Sequence, residues 1–450
     1  MEQLFGTDGI RGQANCYPIT AEVALQLGKA IGHVFKATGH GSRRVVIGKD
    51  TRLSGYMLET ALTSGLVSVG ADVLLVGPVP TPAVAHLTRS MAADVGIMLT
   101  ASHNPFDDNG IKIFGADGFK ISDAIESDIT RHVLSGELSC DHIRSDRLGK
   151  AYRIDDARGR YIEFAKSTLK NRDFTGIKVV LDCANGAAYS IAPLIFKELG
   201  AEVTKINVEP DGYNINNGCG ALHPETVGKI VVEKKADVGV AFDGDADRVI
   251  FCDHKGKIVD GDRILAMLAL DFKKRGVLSN NTMVTTTMSN LGLHEAMHRA
   301  AIRVDITDVG DRLVIERMHE MGANVGGEKS GHVILMDYAT TGDGIITALQ
   351  VLRLMKQRKT TLAELAKCMI EYPQKLVSLK VASKKPIDRL PSLMRVMAAC
   401  KKDLGAQGRM IVRYSGTENK IRLLVEAKNS KQVNTWIARL TAAVRKDLGA

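Results

Sequence analysis

Several signatures that would assign a chain to a protein class at once are absent from this 450-residue sequence. Its seven cysteines are odd in number and widely spaced, and no two of them form C-x-x-C. This excludes a disulfide framework and a thiolate zinc site, and we expect reduced thiols in a cytoplasmic protein. No apolar run approaches the ~18 residues that cross a bilayer, and the first residues lack the basic and apolar regions of a signal peptide. The sequence thus predicts a protein that is neither exported nor embedded in a membrane.

A net charge of +9 is the one compositional feature that suggests a polyanionic partner. The lysines and arginines are spread along the chain with acidic residues between them, and zinc-finger spacings, RGG runs and a basic tail are lacking. An anionic small substrate explains a mild basic excess equally well. We therefore predict no nucleic acid partner and no membrane partner.

An apolar strand, a polar turn, an amphipathic helix and a second apolar strand recur three times, which is typical of βαβ units. The copies span 45–77, 177–206 and 282–307. Their predicted helices span 56–69, 188–199 and 291–300. Beyond residue 371 the pattern favours an antiparallel sheet with two helices. The sequence predicts three similar mixed-sheet α/β domains and a smaller C-terminal α+β domain, with boundaries at 1–150, 151–255, 256–370 and 371–450.

Three aspartates, Asp243, Asp245 and Asp247, directly follow the apolar run V-G-V-A-F. Carboxylates this close repel one another unless a cation neutralises them. An extended loop can aim all three at one point, and ligands that are all oxygen favour Mg²⁺ over Zn²⁺. An EF-hand is excluded, because Arg248 and His254 stand where glycine and a bidentate glutamate belong. A solvated acidic turn is the alternative.

The run T-A-S-H-N-P offers a candidate nucleophile in Ser102, with His103 beside it and Lys112 further along. A serine hydroxyl needs a base or a metal to react, so Ser102 matters only if the fold brings it to the aspartate loop. The sequence alone does not show that approach. Taken alone, the run is also typical of an ordinary turn.

Two further loops offer groups that bind sugars and phosphates. In G-G-E-K-S-G-H, Glu328 and Ser330 can hydrogen-bond to sugar hydroxyls, and the glycines let the backbone approach a ligand. In V-R-Y-S-G-T-E-N-K-I-R, Arg413 and Arg422 flank a glycine turn and can bind a phosphate bidentately. Each loop is also compatible with a plain surface turn.

Taken together and in this order, T-A-S-H-N-P, D-G-D-A-D-R, G-E-K-S-G-H and S-G-T-E resemble the signatures of the α-D-phosphohexomutase family, and the resemblance covers essentially the whole chain. F-G-T-D-G-I-R-G, V-G-D-R and Y-A-T-T-G-D-G-I-I-T-A-L-Q-V-L are similar to the branch that acts on glucosamine phosphates. Lys329 stands where the mannose/glucose branch favours methionine.

This resemblance implies three α/β domains and a smaller C-terminal domain around a central cleft. It implies an isomerase that interconverts glucosamine 6-phosphate and glucosamine 1-phosphate. The enzyme would pass through a covalent phosphate on serine and glucosamine 1,6-bisphosphate as intermediate and activator, and it would supply amino sugars for peptidoglycan precursors. One Mg²⁺ per active site would be the cofactor. A phosphorylated amino sugar would be the partner, and a homodimer is permitted. A phosphomannomutase or phosphoglucomutase of the same family is the alternative.

The implied residue roles fall on four loops. Ser102 would carry the phosphoryl group. The metal ligands would be Ser102, Asp243, Asp245 and Asp247. The reaction centre would be lined by Arg11, His103, Lys112 and Arg248, with Lys112 as the proton acceptor. The substrate contacts would be Glu328, Ser330, His332, Arg413, Ser415, Gly416, Thr417 and Arg422.

One departure from the family pattern concerns the phosphate loop, where Tyr414 and Asn419 replace two prolines. Loss of proline frees backbone torsions and adds N–H donors, so the loop geometry can differ from that of the family.

Three rival functions remain open from the residues alone. Asp243 and Asp245 form a D-x-D that would serve a phosphatase as nucleophile and general acid. His294 and His298 form a literal H-E-x-x-H, the zinc-ligand pattern of metalloproteases. A sensor that binds a sugar phosphate without turning it over would need neither Ser102 nor the three aspartates.

Overall fold

The structure is a computed structural model that describes residues 4–6, 8–35, 43–140, 143–415 and 419–449. Its contacts divide the chain into two compact units. One comprises the residues up to Met288 together with Ala300–Cys368, and the other comprises Ser289–Arg299 together with the residues from Met369 onward. Within the described ranges, no helix combines the length and apolar character that crossing a membrane requires.

The first α/β domain is built on a mixed sheet. Its elements are β1 (Ile10–Gln13), α1 (Ala21–Val34), β2 (Arg43–Lys49), α2 (Ser54–Ser68), β3 (Ala71–Pro78), α3 (Thr81–Ser90), β4 (Val95–Leu99), β5 (Asp108–Gly115), α4 (Asp123–Ser135) and β6 (Ala151–Arg153). The strand order is β1-β5-β4-β2-β3-β6. Strand β2 is parallel to β3 and β4, whereas β5 is antiparallel to β4 and β1. Strand β4 is buried along its whole length, as expected for a strand covered on both faces.

The second domain repeats this arrangement. Its elements are α5 (Ala157–Ser167), β7 (Lys178–Asp182), α6 (Ala192–Glu198), β8 (Glu202–Ile206), α7 (Pro224–Lys234), β9 (Val238–Phe242), β10 (Val249–Asp253) and β11 (Ile258–Val259). The order is β11-β10-β9-β7-β8, with β9, β7 and β8 parallel and the β9–β10 pair antiparallel. The helix predicted over 188–199 begins only at Ala192. Proline is tolerated in the first turn of a helix, and Pro193 lies there.

The third domain has a smaller mixed sheet. Its elements are α8 (Gly261–Lys274), β12 (Thr282–Thr286), α9 (Leu291–Arg299), β13 (Arg303–Thr307), α10 (Asp311–Met321), β14 (Val325–Gly327), β15 (Val333–Leu335), α11 (Gly344–Arg358) and α12 (Leu362–Leu365). The order is β13-β12-β14-β15, and only the β14–β15 pair is antiparallel. Helix α9 belongs to the second compact unit, although β12 and β13 belong to the first.

The C-terminal region forms an antiparallel sheet, as the sequence predicts. Its elements are β16 (Gln374–Lys380), α13 (Pro391–Leu404), β17 (Gly408–Tyr414), β18 (Lys420–Ala427) and α14 (Ser430–Leu448). Strand β18 pairs antiparallel with both β16 and β17. Buried apolar side chains of both helices, including Leu393, Trp436 and Leu440, pack into one core with β18. The predicted fold class, three mixed α/β domains and a smaller α+β domain, is confirmed. The exact domain boundaries stay a prediction.

Each α/β domain turns from a strand of its parallel core into an antiparallel neighbour: β4 to β5, β9 to β10 and β14 to β15. The connections at these turns span 100–107, 243–248 and 328–332. These are the three loops that carry the serine, the aspartates and the candidate sugar contacts. The repeated topology therefore puts each functional loop at the equivalent point of its domain.

Candidate active site

Ser102 lies just beyond the carboxyl end of β4, in the connection to β5. Its backbone is left-handed, with φ +52°, and its side chain is buried, with 1% exposure. The hydroxyl Oγ donates a hydrogen bond of 2.7 Å to Oδ2 of Asp243 in the second domain. The fold therefore brings the candidate nucleophile to the aspartate loop, an approach the sequence could not show.

The serine and aspartate loops can approach closely because the aspartate loop has a glycine, Gly244, where it contacts the backbone of Ser102. A Cβ added at Gly244 would lie 2.5 Å from the carbonyl oxygen of Ser102, closer than side-chain atoms approach backbone. The same carbonyl accepts a 2.9 Å hydrogen bond from Nδ2 of Asn216. Both contacts join the first domain to the second at the site.

The three aspartates form a compact acidic cluster. One carboxylate oxygen from each of Asp243, Asp245 and Asp247 lies within 4.8 Å of the others, and all three residues are buried. Oδ1 of Asp245 and Oδ1 of Asp247 are buried and have no hydrogen-bond partner among the described residues. Burial, followed by the charges of Asp245 and Asp247, raises the pKa of Asp243 well above its usual value. Unpaired buried carboxylate oxygens of this kind fit a hard divalent cation.

Thr81 orients one of these carboxylates, a role that sequence reasoning missed. Located at the start of α3, it donates its hydroxyl to Oδ2 of Asp245 at 2.6 Å, and its backbone N–H donates to the Asp245 carbonyl at 2.9 Å. A hydrogen bond to a metal-binding side chain fixes the direction in which that side chain points toward the metal. The run P-T-P gives no local signal of this contact, because its partner is in another domain.

Lys112 lies in β5 directly opposite Met98 of β4 and is almost fully buried. Its Nζ donates to Oδ2 of Asp245 at 2.9 Å and to Oδ2 of Asp247 at 3.0 Å. Burial acts to lower the pKa of Lys112, but the attraction of Asp245 and Asp247 outweighs it and raises the pKa well above the usual value. In this arrangement Lys112 is a cation. Its role as proton acceptor stays a prediction.

Asp8 links further basic groups to the site and was not among the predicted residues. Its carboxylate lies 3.5 Å from Lys112 and forms ion pairs with Arg11 and Lys120. Lys120 in turn pairs with Asp311 of the third domain. Asp8 lies within F-G-T-D-G-I-R-G, so the motif itself contained the signal. Arg11, a predicted site residue, thus lies beside this network.

His103 and Arg248 flank the nucleophile and the cluster. Nδ1 of His103 lies 3.3 Å from Oγ of Ser102. Burial, reinforced by Arg248, lowers the pKa of His103 to about 4, so its ring is neutral at neutral pH. The backbone N–H of Arg248 donates to Oδ1 of Asp243 at 3.1 Å, and its Nε lies 3.8 Å from Oδ1 of Asp247. These predicted residues are therefore together at the site.

The third-domain loop is joined to the aspartate loop through its backbone. The N–H of Val249 donates to the Gly331 carbonyl at 3.1 Å. Glu328 is buried, and its carboxylate accepts from the N–H of Gly310 at 3.1 Å and from Oγ of the exposed Ser330 at 3.3 Å. Ser330 is thus the more open of the two predicted sugar contacts.

His332 differs from its neighbours, because its side chain is 1% exposed and neither ring nitrogen has a hydrogen-bond partner in the described part of the chain. The ring packs so closely on Gly342 that a Cβ there would lie 2.2 Å from it. In this structure His332 offers a ligand almost no surface. Its role as a substrate contact stays a prediction.

The candidate phosphate loop lies in the second compact unit. Arg413 of β17 and Arg422 of β18 are directly opposite one another in the antiparallel ladder, so their side chains emerge on the same face. Like charges placed opposite each other destabilise a sheet unless an anion lies between them. The N–H of Ser415 donates to the Lys420 carbonyl at 2.8 Å. The predicted contacts Gly416 and Thr417 lie outside the described residues.

Tyr414 and Asn419, the two residues that stand in place of the family's prolines, both take part in hydrogen bonds. The hydroxyl of Tyr414 donates to the Lys385 carbonyl at 2.6 Å, and the Asn419 carbonyl accepts from the N–H of Val381 at 2.9 Å. Tyr414 gains from its side chain a contact that a proline could not make.

The H-E-x-x-H pattern on α9 does not form a metal site in the part of the chain that the structure describes. There, the aspartate cluster is the only group of three His, Cys, Asp or Glu side chains with metal-site spacing. Burial and the nearby Arg409 lower the pKa of His294 to about 4. His294 and His298 therefore lack a third ligand among these residues.

Comparison with known proteins defines the class of this chain. The phosphoglucomutase/phosphomannomutase family matches it in four consecutive domains. Its α/β/α domains I, II and III match residues 2–139, 159–256 and 260–372, and its C-terminal domain matches residues 376–443. The chain therefore belongs to the phosphoglucomutase/phosphomannomutase family, and the predicted phosphohexomutase membership is confirmed.

Individual relatives narrow this class. The phosphoglucosamine mutase of Pelobacter propionicus is 50% identical over 450 residues, which cover 100% of this chain and 99% of that protein. A crystal structure of a phosphoglucomutase/phosphomannomutase family protein from Burkholderia thailandensis has the same fold. It matches with a TM-score of 0.81 at 24% identity and covers 99% of this chain and 97% of its own.

A more distant neighbour is the Aspergillus fumigatus N-acetylphosphoglucosamine mutase, whose structure contains GlcNAc-6P and magnesium. It matches with a TM-score of 0.63 at 18% identity, covering 99% of this chain and 96% of its own. At that identity the likeness concerns the fold alone. The full-length relative confirms the prediction of a mutase, and it does not favour the phosphatase alternative.

Proposed function

We propose that this chain interconverts glucosamine 6-phosphate and glucosamine 1-phosphate, with Ser102 as the carrier of the transferred phosphoryl group. The contact that supports this most directly is the 2.7 Å hydrogen bond from Oγ of Ser102 to Asp243. It puts a hydroxyl nucleophile at the edge of a carboxylate cluster suited to a divalent cation. The sugar is inferred from the phosphoglucosamine mutases that are half identical to this chain along its whole length.

Asp243, Asp245 and Asp247 would hold one Mg²⁺, with a Ser102 phosphate oxygen as a further ligand. When bound, this ion would neutralise negative charge on the phosphoryl oxygens. Thr81 would keep Asp245 directed at the ion, since it already donates to that carboxylate. Lys112 would lose part of its present pairing to the cation, because both compete for Asp245 and Asp247. Mg²⁺ would thereby weaken the ion pairs that keep Lys112 protonated, which favours its proposed role as proton acceptor.

The reaction is a double transfer that returns the enzyme to its starting state. Phospho-Ser102 gives its phosphoryl group to O1 of glucosamine 6-phosphate. The P–O bond to Ser102 breaks, a P–O bond to O1 forms, and the O1 proton passes to Lys112. Glucosamine 1,6-bisphosphate then turns round in the site, so that its O6 phosphate faces Ser102. Ser102 then accepts the second phosphoryl group: a P–O bond to Oγ forms, the P–O bond to O6 breaks, the proton held by Lys112 passes to O6, and glucosamine 1-phosphate leaves.

Binding groups are proposed for the part of the sugar phosphate that is not reacting. Glu328 and Ser330 would bind ring substituents, because Glu328 provides a carboxylate and Ser330 an exposed hydroxyl. Arg413 and Arg422 would bind the distal phosphate. Their opposed positions on one face of the sheet provide two cations for one anion. A cytoplasmic location and a homodimer also stay predictions.

Product analysis with a panel of substrates tests the proposal. Purified protein with Mg²⁺ is given glucosamine, mannose or glucose 6-phosphate, and sugar 1-phosphate and inorganic phosphate are both quantified. We expect the highest kcat/KM for glucosamine, no stoichiometric phosphate release and near-complete loss of activity in Ser102→Ala. Ser167→Ala is the matched control, since its hydroxyl is exposed and donates to the Phe164 carbonyl within its own helix. A higher kcat/KM for mannose or glucose would contradict the sugar assignment, and net phosphate release would contradict the mutase.

A further inference from the structure

Arg52 is one of the most deeply buried charged residues of the described chain, with 1% exposure. It lies in the polar turn between β2 and α2, a segment whose composition predicts only a surface turn. Burial of a guanidinium is costly unless every donor is paired. The hydrogen-bond acceptors of Arg52 therefore indicate its structural role.

All five N–H donors of this guanidinium have acceptors. Nε donates to Oδ2 of Asp50 at 2.8 Å. Nη2 donates to the carbonyls of Ser102 at 3.0 Å and Asn104 at 2.8 Å. Nη1 donates to the carbonyls of Pro105 and Asp108, the latter at 3.0 Å. Four of the five hydrogen bonds thus go to backbone carbonyls, three of them in the loop that carries the nucleophile and one, that of Asp108, at the start of β5.

Thr100, itself bound to Asp50, binds the backbone N–H of Ser102, as Arg52 binds its carbonyl. Oδ2 of Asp50 accepts the hydroxyl of Thr100 at 2.7 Å, and that hydroxyl accepts the N–H of Ser102 at 2.8 Å. The backbone of Ser102 is therefore fixed at both its N–H and its carbonyl. A non-glycine residue with φ +52° is held only where its surroundings impose the conformation.

We infer that Arg52 is a positioning residue for phosphoryl transfer: it gathers the carbonyls of the Ser102 loop onto one planar guanidinium and so keeps Oγ of Ser102 directed at Asp243. The inference rests on the proposed function. A lysine cannot replace this geometry, because its ammonium has three donors and no rigid fork. Arg52 touches no reacting atom, so its effect should appear in the rate of transfer and not in substrate binding.

The first test compares Arg52→Lys with a matched control. Arg353 is also a buried arginine, and it donates to Asp271 of α8 at 2.5 Å and to Gln350 and Gln357 of α11 at 2.9 Å and 2.6 Å. We expect Arg52→Lys to lower kcat for glucosamine 6-phosphate by about 10²-fold with little change in KM. Arg353→Lys should keep its kcat, measured well below the unfolding temperature of each variant. Unchanged kcat in Arg52→Lys, or an equal loss in Arg353→Lys, would overturn the inference.

The second test is chemical rescue of Arg52→Ala. The truncated side chain leaves space for a free guanidinium ion, which offers the same planar donors. Guanidinium chloride at non-denaturing concentration should raise kcat, whereas ammonium chloride at equal ionic strength should not. Equal rescue by both salts would show that positive charge, and not the planar set of donors, restores kcat. That result, or no rescue by guanidinium, would overturn the inference.

Thr100→Val replaces both Arg52 variants if neither folds, since it removes the hydroxyl that links the Ser102 N–H to Asp50 and keeps the size of the side chain. A loss of kcat at unchanged KM supports the inference, and an unchanged kcat overturns it. Failure of the proposed function is recognised separately, because wild-type protein would then produce no sugar 1-phosphate. An active wild type with fully active variants would overturn the positioning role alone.

Discussion

Replacing Asp343 by asparagine tests how a buried carboxyl group behind the aspartate loop makes stability depend on pH. Asp343 caps α11, and its Oδ1 accepts the N–H of Ile346 at 2.8 Å. Its Oδ2 accepts the hydroxyl of the buried Tyr161 at 2.8 Å. The next residue, Gly344, donates its N–H to the carbonyl of Ala246 within the aspartate loop at 3.0 Å. The cap of α11 is therefore part of the support of the metal loop.

The expected magnitude follows from the pKa of this carboxyl group. Burial, only partly offset by hydrogen bonds from Ile346 and Tyr161, raises the pKa of Asp343 to about 6. The folded state then binds this proton more tightly than the unfolded state, whose pKa is about 3.9. Stability from this group is complete at low pH and is lost as pH rises through about 4 to 6. A shift of about two units corresponds to about 3 kcal/mol.

Asparagine keeps the acceptor for Ile346 and can donate to the oxygen of Tyr161, but it has no proton to lose. Urea unfolding followed by circular dichroism, at a series of pH values without Mg²⁺, gives the free energy of unfolding of both proteins. The advantage of Asp343→Asn over wild type should grow by about 3 kcal/mol from about pH 4 to about pH 7. Tyr161→Phe should extend the wild-type loss to higher pH, because it removes a bond that lowers the pKa. A difference that is independent of pH, or that shrinks as pH rises, would show that the pKa of Asp343 is not raised in the folded protein.

Two further predictions concern the carboxylate cluster. Lys112→Met leaves Asp245 and Asp247 buried without their cation, so unfolding in EDTA should need about 3–5 kcal/mol less free energy than in wild type. Mg²⁺ should then raise the melting temperature more in Lys112→Met than in wild type, and an equal rise would contradict the competition between Lys112 and the metal. Thr81→Val removes a 2.6 Å hydrogen bond to Asp245 and should weaken Mg²⁺ binding about tenfold or more in calorimetric titration. An unchanged Kd would argue against an orienting role for Thr81.

The sequence allowed the serine and aspartate loops to be predicted because each follows a strand that is apolar throughout. V-G-V-A-F is a fully buried strand, and the polarity changes abruptly at Asp243. The same change occurs after Leu99, where β4 ends. Such transitions mark the ends of core strands, where functional side chains can leave the sheet. The repeated βαβ pattern could be predicted from the same changes from apolar strand to polar turn.

What the sequence could not show is how loops from different domains meet. Ser102 and Asp243 are 141 residues apart, and their contact depends on two hairpins of two separate sheets. Arg52 was missed because its acceptors are mostly backbone carbonyls, which leave no trace in residue identity. The start of α6 was misplaced because the pattern of apolar residues continues into a turn, and Pro193 alone marks the first helical turn.

Ser102 is proposed to hold the phosphoryl group between the two halves of one reaction, and a single-turnover experiment tests this role directly. Protein treated with glucosamine 1,6-bisphosphate is analysed by mass spectrometry, before and after addition of excess glucosamine 6-phosphate. We expect one phosphoryl group on the peptide that contains Ser102, and its transfer to the sugar without matching release of inorganic phosphate. A phosphoryl group on Asp243, or one that leaves only as inorganic phosphate, would contradict it.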